Sequence, residues 1–420
     1  MSCCRFNRIK QAANADHEHP PDEEQFMKKL MILGASYSQL PLINKAREMG
    51  IYTIAASTPG DWPGFDAADE SAFVDISDPE AILAQARRQQ IHGIATCCLD
   101  TGVPAIGTVC EKMGLRGPSE KAARTASNKY KMKEAFREAG VQTARHICIH
   151  NREELVHALD ELNFPVVVKA VDLMGSRGIF RCNTRQEALD NYEKTMEATR
   201  QEYCLIEEFI EGTLFGAEAM MKDGKLVYCM IDNTESFISA VPTPVGHSIP
   251  FEGGQTLELQ AQEQVQAAIE AVGLDNCPVN CDLIHKEGKV YVIEITGRAG
   301  ATCLPEQIGL YYGINYYEAI IRLAMDMEVE SLFAQPPCTA SISHTLMSDR
   351  DGTVKAINNC NEQTEDIVDL SFNVEPGEMI HAYRNGRDRL GQVIVKGSSL
   401  PVCRARLAEV LAKIEIEFEE

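Results

Sequence analysis

Long apolar runs are missing from these 420 residues. No stretch approaches the ~20 consecutive apolar residues that span a bilayer, so no membrane partner is expected. Positive charge is scarce. Lys and Arg number 40 against 62 Asp and Glu, a formal net charge of -22. Neutralising a nucleic-acid backbone needs a basic face, so no nucleic-acid partner is expected either. Any phosphate site must then be local, made of a few placed lysines and backbone amides. Cysteines number 15, yet no Cys-x-x-Cys occurs, and the spacing of Cys277 and Cys281 does not match a zinc ribbon. With Cys97-Cys98 inside an apolar strand, they read as reduced core thiols of a cytoplasmic protein. Two nucleotide fingerprints are absent as well. The first strand closes on Gly34-Ala-Ser-Tyr-Ser-Gln39, without the later glycines of G-x-G-x-x-G, which counts against an NAD-type oxidoreductase. G-x-x-x-x-G-K-[ST] occurs nowhere, which excludes a P-loop NTPase. Residues 1–26 have no hydrophobic core, so they are no secretory signal and read as a disordered leader.

What is present falls into three stretches. Residues 29–115 alternate strand and helix: strands at Lys29–Ala35, Ile51–Ser57 and Ile94–Leu99, helices at Gln39–Met49, Pro79–Gln90 and through Met113. Such alternation implies βαβ units and a doubly wound parallel sheet. A sheet of this kind binds at the carboxyl ends of its strands, which makes Ser36, after Gly34-Ala35, a candidate substrate contact. The middle is α+β. It reads as helix Asn128–Ala139, strands Ala144–His150, Val166–Val171, Gly178–Cys182 and Cys204–Ile210, and helices from Arg152 to Leu162 and up to about Arg200. Leu226–Ile231 and the 279–296 pair predict an antiparallel sheet, with helix Leu257–Val272 packed between them. Pro336-Pro337 reads as a linker, and residues 338–413 as short strands ending in helix Leu400–Ile414.

Residues 279–303 carry the most chemistry. Asp282 and Glu294 lie in two alternating runs separated by Lys286-Glu287-Gly288-Lys289. A three-residue connection centred on Gly288 sets the two acids face to face, with Asn280 and Thr296 on the same side. A two-residue turn would put them on opposite faces, and both registers stay open. Facing like charges destabilise a hairpin unless a cation sits between them. Hard oxygen donors of this kind suit Mg²⁺ or Mn²⁺ bridged to phosphates. On the same reasoning, Glu294→Gln is expected to relieve repulsion and raise the stability of the metal-free chain.

Upstream, Phe164-Pro-Val-Val-Val-Lys169 places one lysine in an apolar strand, where it must reach water or meet an anion. The loop Asp172-Leu-Met-Gly175-Ser176-Arg177-Gly178 follows, offering backbone amides, a hydroxyl and a guanidinium as a phosphate clamp. Cys204-Leu-Ile-Glu207-Glu208-Phe209-Ile210 runs an apolar strand into acids and can present backbone groups to a purine edge. Each piece alone has an ordinary reading as a strand or a solvated turn.

Taken in order, Lys129, Lys169 with its glycine loop, Glu207–Ile210, Asp282, Glu294 and Arg298 make the chain resemble the ATP-grasp enzymes. That superfamily includes biotin carboxylase, D-alanine–D-alanine ligase, carbamoyl-phosphate synthetase large chain and L-amino-acid ligases. The resemblance covers about residues 28–415. It implies an ATP-grasp fold of α/β and α+β character, with an N-terminal doubly wound parallel-sheet domain (27–116). An ATP-grasp domain (117–335, its lid about 141–212) and a small β-rich C-terminal domain (336–420) closing the cleft would follow. It implies that Lys129, Lys169, Ser176 and Gly178 hold ATP phosphates. Glu207 would lie near the adenine amino group, Phe209 and Ile210 would give backbone contacts, and Asp282 and Glu294 would hold Mg²⁺ (or Mn²⁺). Arg298 would be the catalytic arginine at the transferred phosphoryl group. The implied function is ATP-dependent ligation of a carboxylate to an amine, such as an amino acid or small peptide, through an acyl phosphate with release of ADP and phosphate. A homodimer is left open. The alternatives are biotin-carboxylase-like carboxylation and a catalytically weak ATP-binding regulatory protein. Thr296 stands where the family commonly has Asn, and Leu214 where it often has a ribose-contacting Glu, for which Glu211 or Glu218 are substitutes. His247, in Thr243-Pro-Val-Gly-His-Ser-Ile-Pro250, sits on an expected loop within reach of a substrate.

Overall fold

The computed structural model describes residues 27–173, 175, 177–238, 242–334 and 339–419. The expected leader, Ser176 and the Pro336-Pro337 linker lie outside them. Strands β1 (Lys29–Leu33), β2 (Tyr52–Ser57), β3 (Glu70–Phe73) and β4 (Gly93–Ala95) form a parallel sheet in the order β3-β2-β1-β4. The alternating pattern predicts three of these strands. The edge strand β3 escapes it because only Ala72 of its four residues is buried. The third predicted strand also ends early. After Ala95 the chain leaves the sheet, Cys97 bridges to Ala299, and Cys98 takes a positive φ of 58°. That turn delivers Asp100 past the carboxyl end of the sheet.

A second sheet holds β5 (His146–Ile149), β6 (Val166–Lys169), β7 (Ile179–Cys182) and β8 (Cys204–Glu208), ordered β5-β8-β6-β7 with every pair antiparallel. Helices Arg152–Glu161 and Arg185–Ala198 cover one face, burying Leu155, Leu159 and Tyr192 against Val166, Val168 and Ile206. Asn151 and Thr184 start these helices by accepting from the amides of Glu154 and Glu187, the usual side-chain cap.

The largest sheet uses β9 (Thr213–Lys222), β10 (Lys225–Ile238), β11 (Pro242–Ile249), β12 (Cys277–Lys286), β13 (Lys289–Thr296) and β14 (Ala340–Leu346). Of the later strands β15 (Gly352–Asn359), β16 (Ile367–Phe372), β17 (Met379–Ile380), β18 (Gly391–Gly397) and β19 (Ile414–Phe418), two join it. Its order is β13-β12-β9-β10-β11-β14-β18-β16, while β17-β15-β19 form a small separate sheet. Helix Gln255–Val272 lies on one face rather than between strands, and buries Ala261, Val265, Ala268 and Ile269 against Phe215, Ala217, Val279 and Cys281. Strand β9 fills the place between β10 and β12. Its residues Phe-Gly-Ala-Glu-Ala have weak strand propensity, so the sequence gives it no signal. Two prolines and a glycine likewise make β11 read as a loop.

Candidate active site

The β12–β13 hairpin closes through two residues, Glu287 (φ 51°) and Gly288 (φ 77°), with Lys286 opposite Lys289. Both left-handed residues match the tight turn that follows strand twist. An uninterrupted ladder from this turn would put Asp282 and Glu294 on opposite faces. A β-bulge between Asp282 and Leu283 absorbs one extra residue, Ile293, and restores the pairing of Asp282 with Glu294 and of Asn280 with Thr296. The acids face each other, then, through a bulge rather than a three-residue turn. The bulge also sets Ile293 and Glu294 side by side on a cavity of about 270 Å³.

Lys129 opens helix Lys129–Ala139, where Asn128 caps the first turn. Its Nζ donates to Glu294 Oε1 at 2.7 Å and to the Leu173 carbonyl at 2.8 Å. Glu294 is therefore an ion-pair partner as well as a facing acid. Among the described residues Asp282 has no such partner: burial, and then the charge of Glu294, pushes its carboxyl up to about 6. A site with this donor set, two hard carboxylates with one of them under-compensated, fits a divalent cation completed by substrate oxygens. Among the described residues no group of three His, Cys, Asp or Glu forms a cage of its own.

One turn along the same helix, Lys133 is fully buried, a site residue the sequence reading missed. The four-residue spacing from Lys129 was the available signal, since it puts both lysines on one helix face. Lys133 lies 3.2 Å from Glu207 Oε2, and Lys169 donates to Glu207 Oε1. Burial pushes the Glu207 carboxyl up, but the charges of Lys133 and Lys169 outweigh it and hold it at about 2. Burial lowers Lys133 to about 8. The Glu207 side chain is thus taken up by lysines. The Phe209 amide donates to the Pro165 carbonyl at 2.9 Å, and its ring carries Arg181 at 4.2 Å. The Ile210 amide has no partner among the described residues, and Ile210 lines the cavity with Leu214, Ile179 and Val167. Gly175 lines it too, while Gly178 makes the turn that follows with φ 63°.

Arg298, which also lines the cavity, is held on two sides. Its Nε donates to Asp100 Oδ1 at 2.6 Å, and its Nη1 to Asn280 Oδ1 at 3.1 Å. Asp100 also accepts from Thr296 Oγ1 at 2.9 Å, so that hydroxyl is committed. Despite its burial, the Arg298 charge keeps the Asp100 carboxyl below its ordinary value. Asp100 was missed from sequence, although its place after a doubly wound strand is where such sheets carry function. Glu218 is no ribose contact. It is fully buried, accepts from Asn280 Nδ2 at 2.8 Å and the Gly300 amide at 3.0 Å, and burial raises it to about 8. Glu211 is exposed and 3.9 Å from Arg181. Ser36 donates to Gln39 Oε1 at 2.8 Å and does not line the cavity. His247 stands on strand β11 and not on a loop; it is buried outside the cavity's lining, which Thr243 and Pro244 of the same strand join, with Nδ1 2.7 Å from Asp232 Oδ1.

Comparison with known proteins follows the same lines. Residues 162–306 match the ATP-grasp domain, and residues 344–419 match the L-amino acid ligase C-terminal domain 2. Phosphoribosylglycinamide synthetase from Anaerococcus prevotii is 38% identical, with a TM-score of 0.80 over 93% of this chain and 100% of that one. The L-amino acid ligase of Bacillus licheniformis superposes with a TM-score of 0.80 at 20% identity, covering 94% of this chain and 99% of that one. Alanine–anticapsin ligase of Bacillus subtilis (strain 168) is 24% identical over 243 residues, 52% of this chain and 51% of that enzyme. The match thus spans about half the length of that relative. Among the described residues no helix is long and apolar enough to cross a membrane, and the 12 described cysteines are free thiols.

Proposed function

This chain belongs to the ATP-grasp family, and from that premise we propose that it joins a carboxylate to an amine through an acyl phosphate, converting ATP to ADP and phosphate. The observation that carries the reading is the gathering of charges on one cavity. It is lined by apolar Leu214 and Ile210, by Lys169 and Lys129, by Asp282 and Glu294, and by Arg298. A nucleotide whose base meets Ile210 points its phosphates along the lysines, with the loop around Gly175 and Gly178 closing over them. Arg298, fixed by Asp100, then stands where charge develops on the migrating γ-phosphoryl group. Mg²⁺ or Mn²⁺ held by Asp282 and Glu294 would neutralise the phosphates. The carboxylate oxygen takes the γ-phosphoryl group, ADP leaves, and the amine displaces phosphate from the acyl carbon. No enzyme nucleophile is required.

An amino acid or small peptide is the favoured substrate class, supported by the match of residues 344–419 to a domain of L-amino acid ligases. A second reading has its own support. The cavity's neighbour, of about 310 Å³ and sharing Lys129 and Glu294, is lined by Arg124, Arg177 and Arg200, a setting for a substrate phosphate. Together with the relative named phosphoribosylglycinamide synthetase, it makes a phosphoribosyl amine the second acceptor to test. A cytoplasmic location and a homodimer complete the proposal.

The test is product analysis with Mg-ATP and pools of amino acids or phosphoribosylamine. ADP and phosphate are expected in equal amounts, and only when a carboxylate is present. AMP with pyrophosphate would overturn the mechanism. Tight ATP binding without turnover on any acid–amine pair would favour a regulatory protein. Arg298→Ala should lower kcat far more than it weakens ATP binding, because its contact is made mainly in the transition state.

A further inference from the structure

We propose that His247 is the catalytic base that takes a proton from the attacking amine, with Asp232 as its positioning residue. The inference rests on the ligase reading and adds to it a group for its second half-reaction. Strand register brings the pair to the site. Asp232 pairs with Gly216, Gly216 with Asp282, and Asp282 with Glu294, so the four form one row on one sheet face. Gly216 contributes no side chain to that row. A Cβ there would lie 2.5 Å from Asp232 Oδ2, so the Asp232 carboxylate lies across the glycine, between its own strand and Asp282. His247 pairs with Thr234, two residues from Asp232 and on the same face. The bulge between Glu235 and Ser236 turns Pro244 to that face too, and Pro244 lines the cavity.

The imidazole is fixed from several sides. Nδ1 lies 2.7 Å from Asp232 Oδ1, and Thr234 Oγ1 donates to the same oxygen at 3.2 Å. The His247 amide donates to Ser343 Oγ at 3.1 Å, and its carbonyl accepts from Gln307 Nε2 at 2.8 Å. A carboxylate at Nδ1 assigns the proton to that nitrogen and leaves a lone pair on Nε2. Among the described residues Nε2 has no hydrogen-bond partner. Asp232 is fully buried, and among the described residues its Oδ2 has no hydrogen-bond partner. Retaining a buried carboxylate with one oxygen unsatisfied is costly for a merely structural contact.

A small-molecule amine at neutral pH is mostly ammonium and has no lone pair to attack with. His247 Nε2 takes one proton, and the imidazolium is stabilised by Asp232. The freed nitrogen pair forms the C–N bond, the acyl C–O bond breaks, and that electron pair leaves on phosphate. The second nitrogen proton departs with phosphate, and His247 returns the first to water.

The experiment compares two nucleophiles with Mg-ATP and a mixture of the common L-amino acids. One is the amino acids' own α-amines, read as peptide. The other is hydroxylamine, which is already unprotonated at neutral pH, read as hydroxamate. His247→Gln should lower peptide formation by roughly 10²–10⁴-fold, the usual contribution of a general base. Its loss of hydroxamate formation should be at least tenfold smaller. Asp232→Asn should show the same split to a lesser degree, and recovery as the amine becomes less basic, which a packing defect would not give. It also carries the test should His247→Gln fail to fold. Equal losses with both nucleophiles, or no loss, would overturn the assignment. No hydroxamate from the unaltered protein with any carboxylate would instead overturn the ligase reading, and the base with it.

Discussion

Glu294 and Asp282 face each other, yet among the described residues only Glu294 has a cationic partner, Lys129 at 2.7 Å. The difference reverses an expectation drawn from like-charge repulsion alone. Glu294→Gln strands the buried Lys129 ammonium with only a carbonyl, so the metal-free protein should melt lower, not higher. Asp282→Asn removes the carboxylate without a partner and should melt as high as the unaltered chain or higher. Both should lose most turnover, and calorimetry beside an activity assay separates the two effects. Glu207 makes the pH argument. Its carboxyl is held at about 2 against an ordinary 4.5, so folding favours the charged form. That stabilisation is complete above about pH 4.5 and fades as pH falls toward 2. Glu207→Gln should therefore be destabilised most at neutral pH, by roughly 3–5 kcal/mol for a broken buried pair, and the gap should close in acid unfolding curves. Lys169 was legible because a lysine in an apolar strand demands an anion. Lys133 and Asp100 were not, because their partners lie 74 residues (Glu207) and 198 residues (Arg298) away, and composition carries no trace of such pairings.

At the level of elements, chemistry was read where it sits on strong local pattern. The β12–β13 hairpin, with alternating apolar residues and Glu-Gly at its tip, announced itself. Its bulge did not, although strict alternation from Val290 and Val292 would have driven Glu294 into the core, and that conflict was the available clue. Strands β9 and β11 were missed for opposite reasons. One is buried on both faces by small and polar residues; the other is disguised by prolines. Both line the cavity, through Leu214 on the first and Pro244 on the second. The turn offers a clean measurement. Gly288 has φ 77° in a tight hairpin more than one turn of strand from the acids. Gly288→Val should cost ~1–2 kcal/mol for forcing a branched side chain into the left-handed region. A lower melting temperature with kcat and ATP affinity unchanged is expected. Lost turnover at full stability would mean that the tip reaches the site.

Over the whole molecule, the cavity belongs to no single sheet. Lys169 and Glu207 come from the four-stranded antiparallel sheet, Asp282 and Glu294 from the eight-stranded one, Arg298 from the loop that follows β13, and Asp100 from a short helical turn after the parallel sheet. The order of these pieces along the chain could be read in advance, but their convergence is a property of the assembled layers. Ligand binding should therefore act on the assembly. A ligand that binds only the folded state stabilises it by about 2.7 kcal/mol at a hundred times its dissociation constant. Mg-ATP, bridging Lys169 and the Asp282–Glu294 pair, should raise the melting temperature of both sheets together as one transition, without any carboxylate present. Asp100→Asn weakens the hold on Arg298 while leaving the nucleotide's own contacts in place. It should keep the Mg-ATP shift nearly whole and lower kcat, because Arg298 is then free to leave the position where the migrating phosphoryl group needs it. A variant that loses the shift instead would place Asp100 in nucleotide binding itself. A shift confined to an early, separate transition would show that the nucleotide engages the four-stranded sheet alone, and that the acids on β12 and β13 join only when the second substrate arrives.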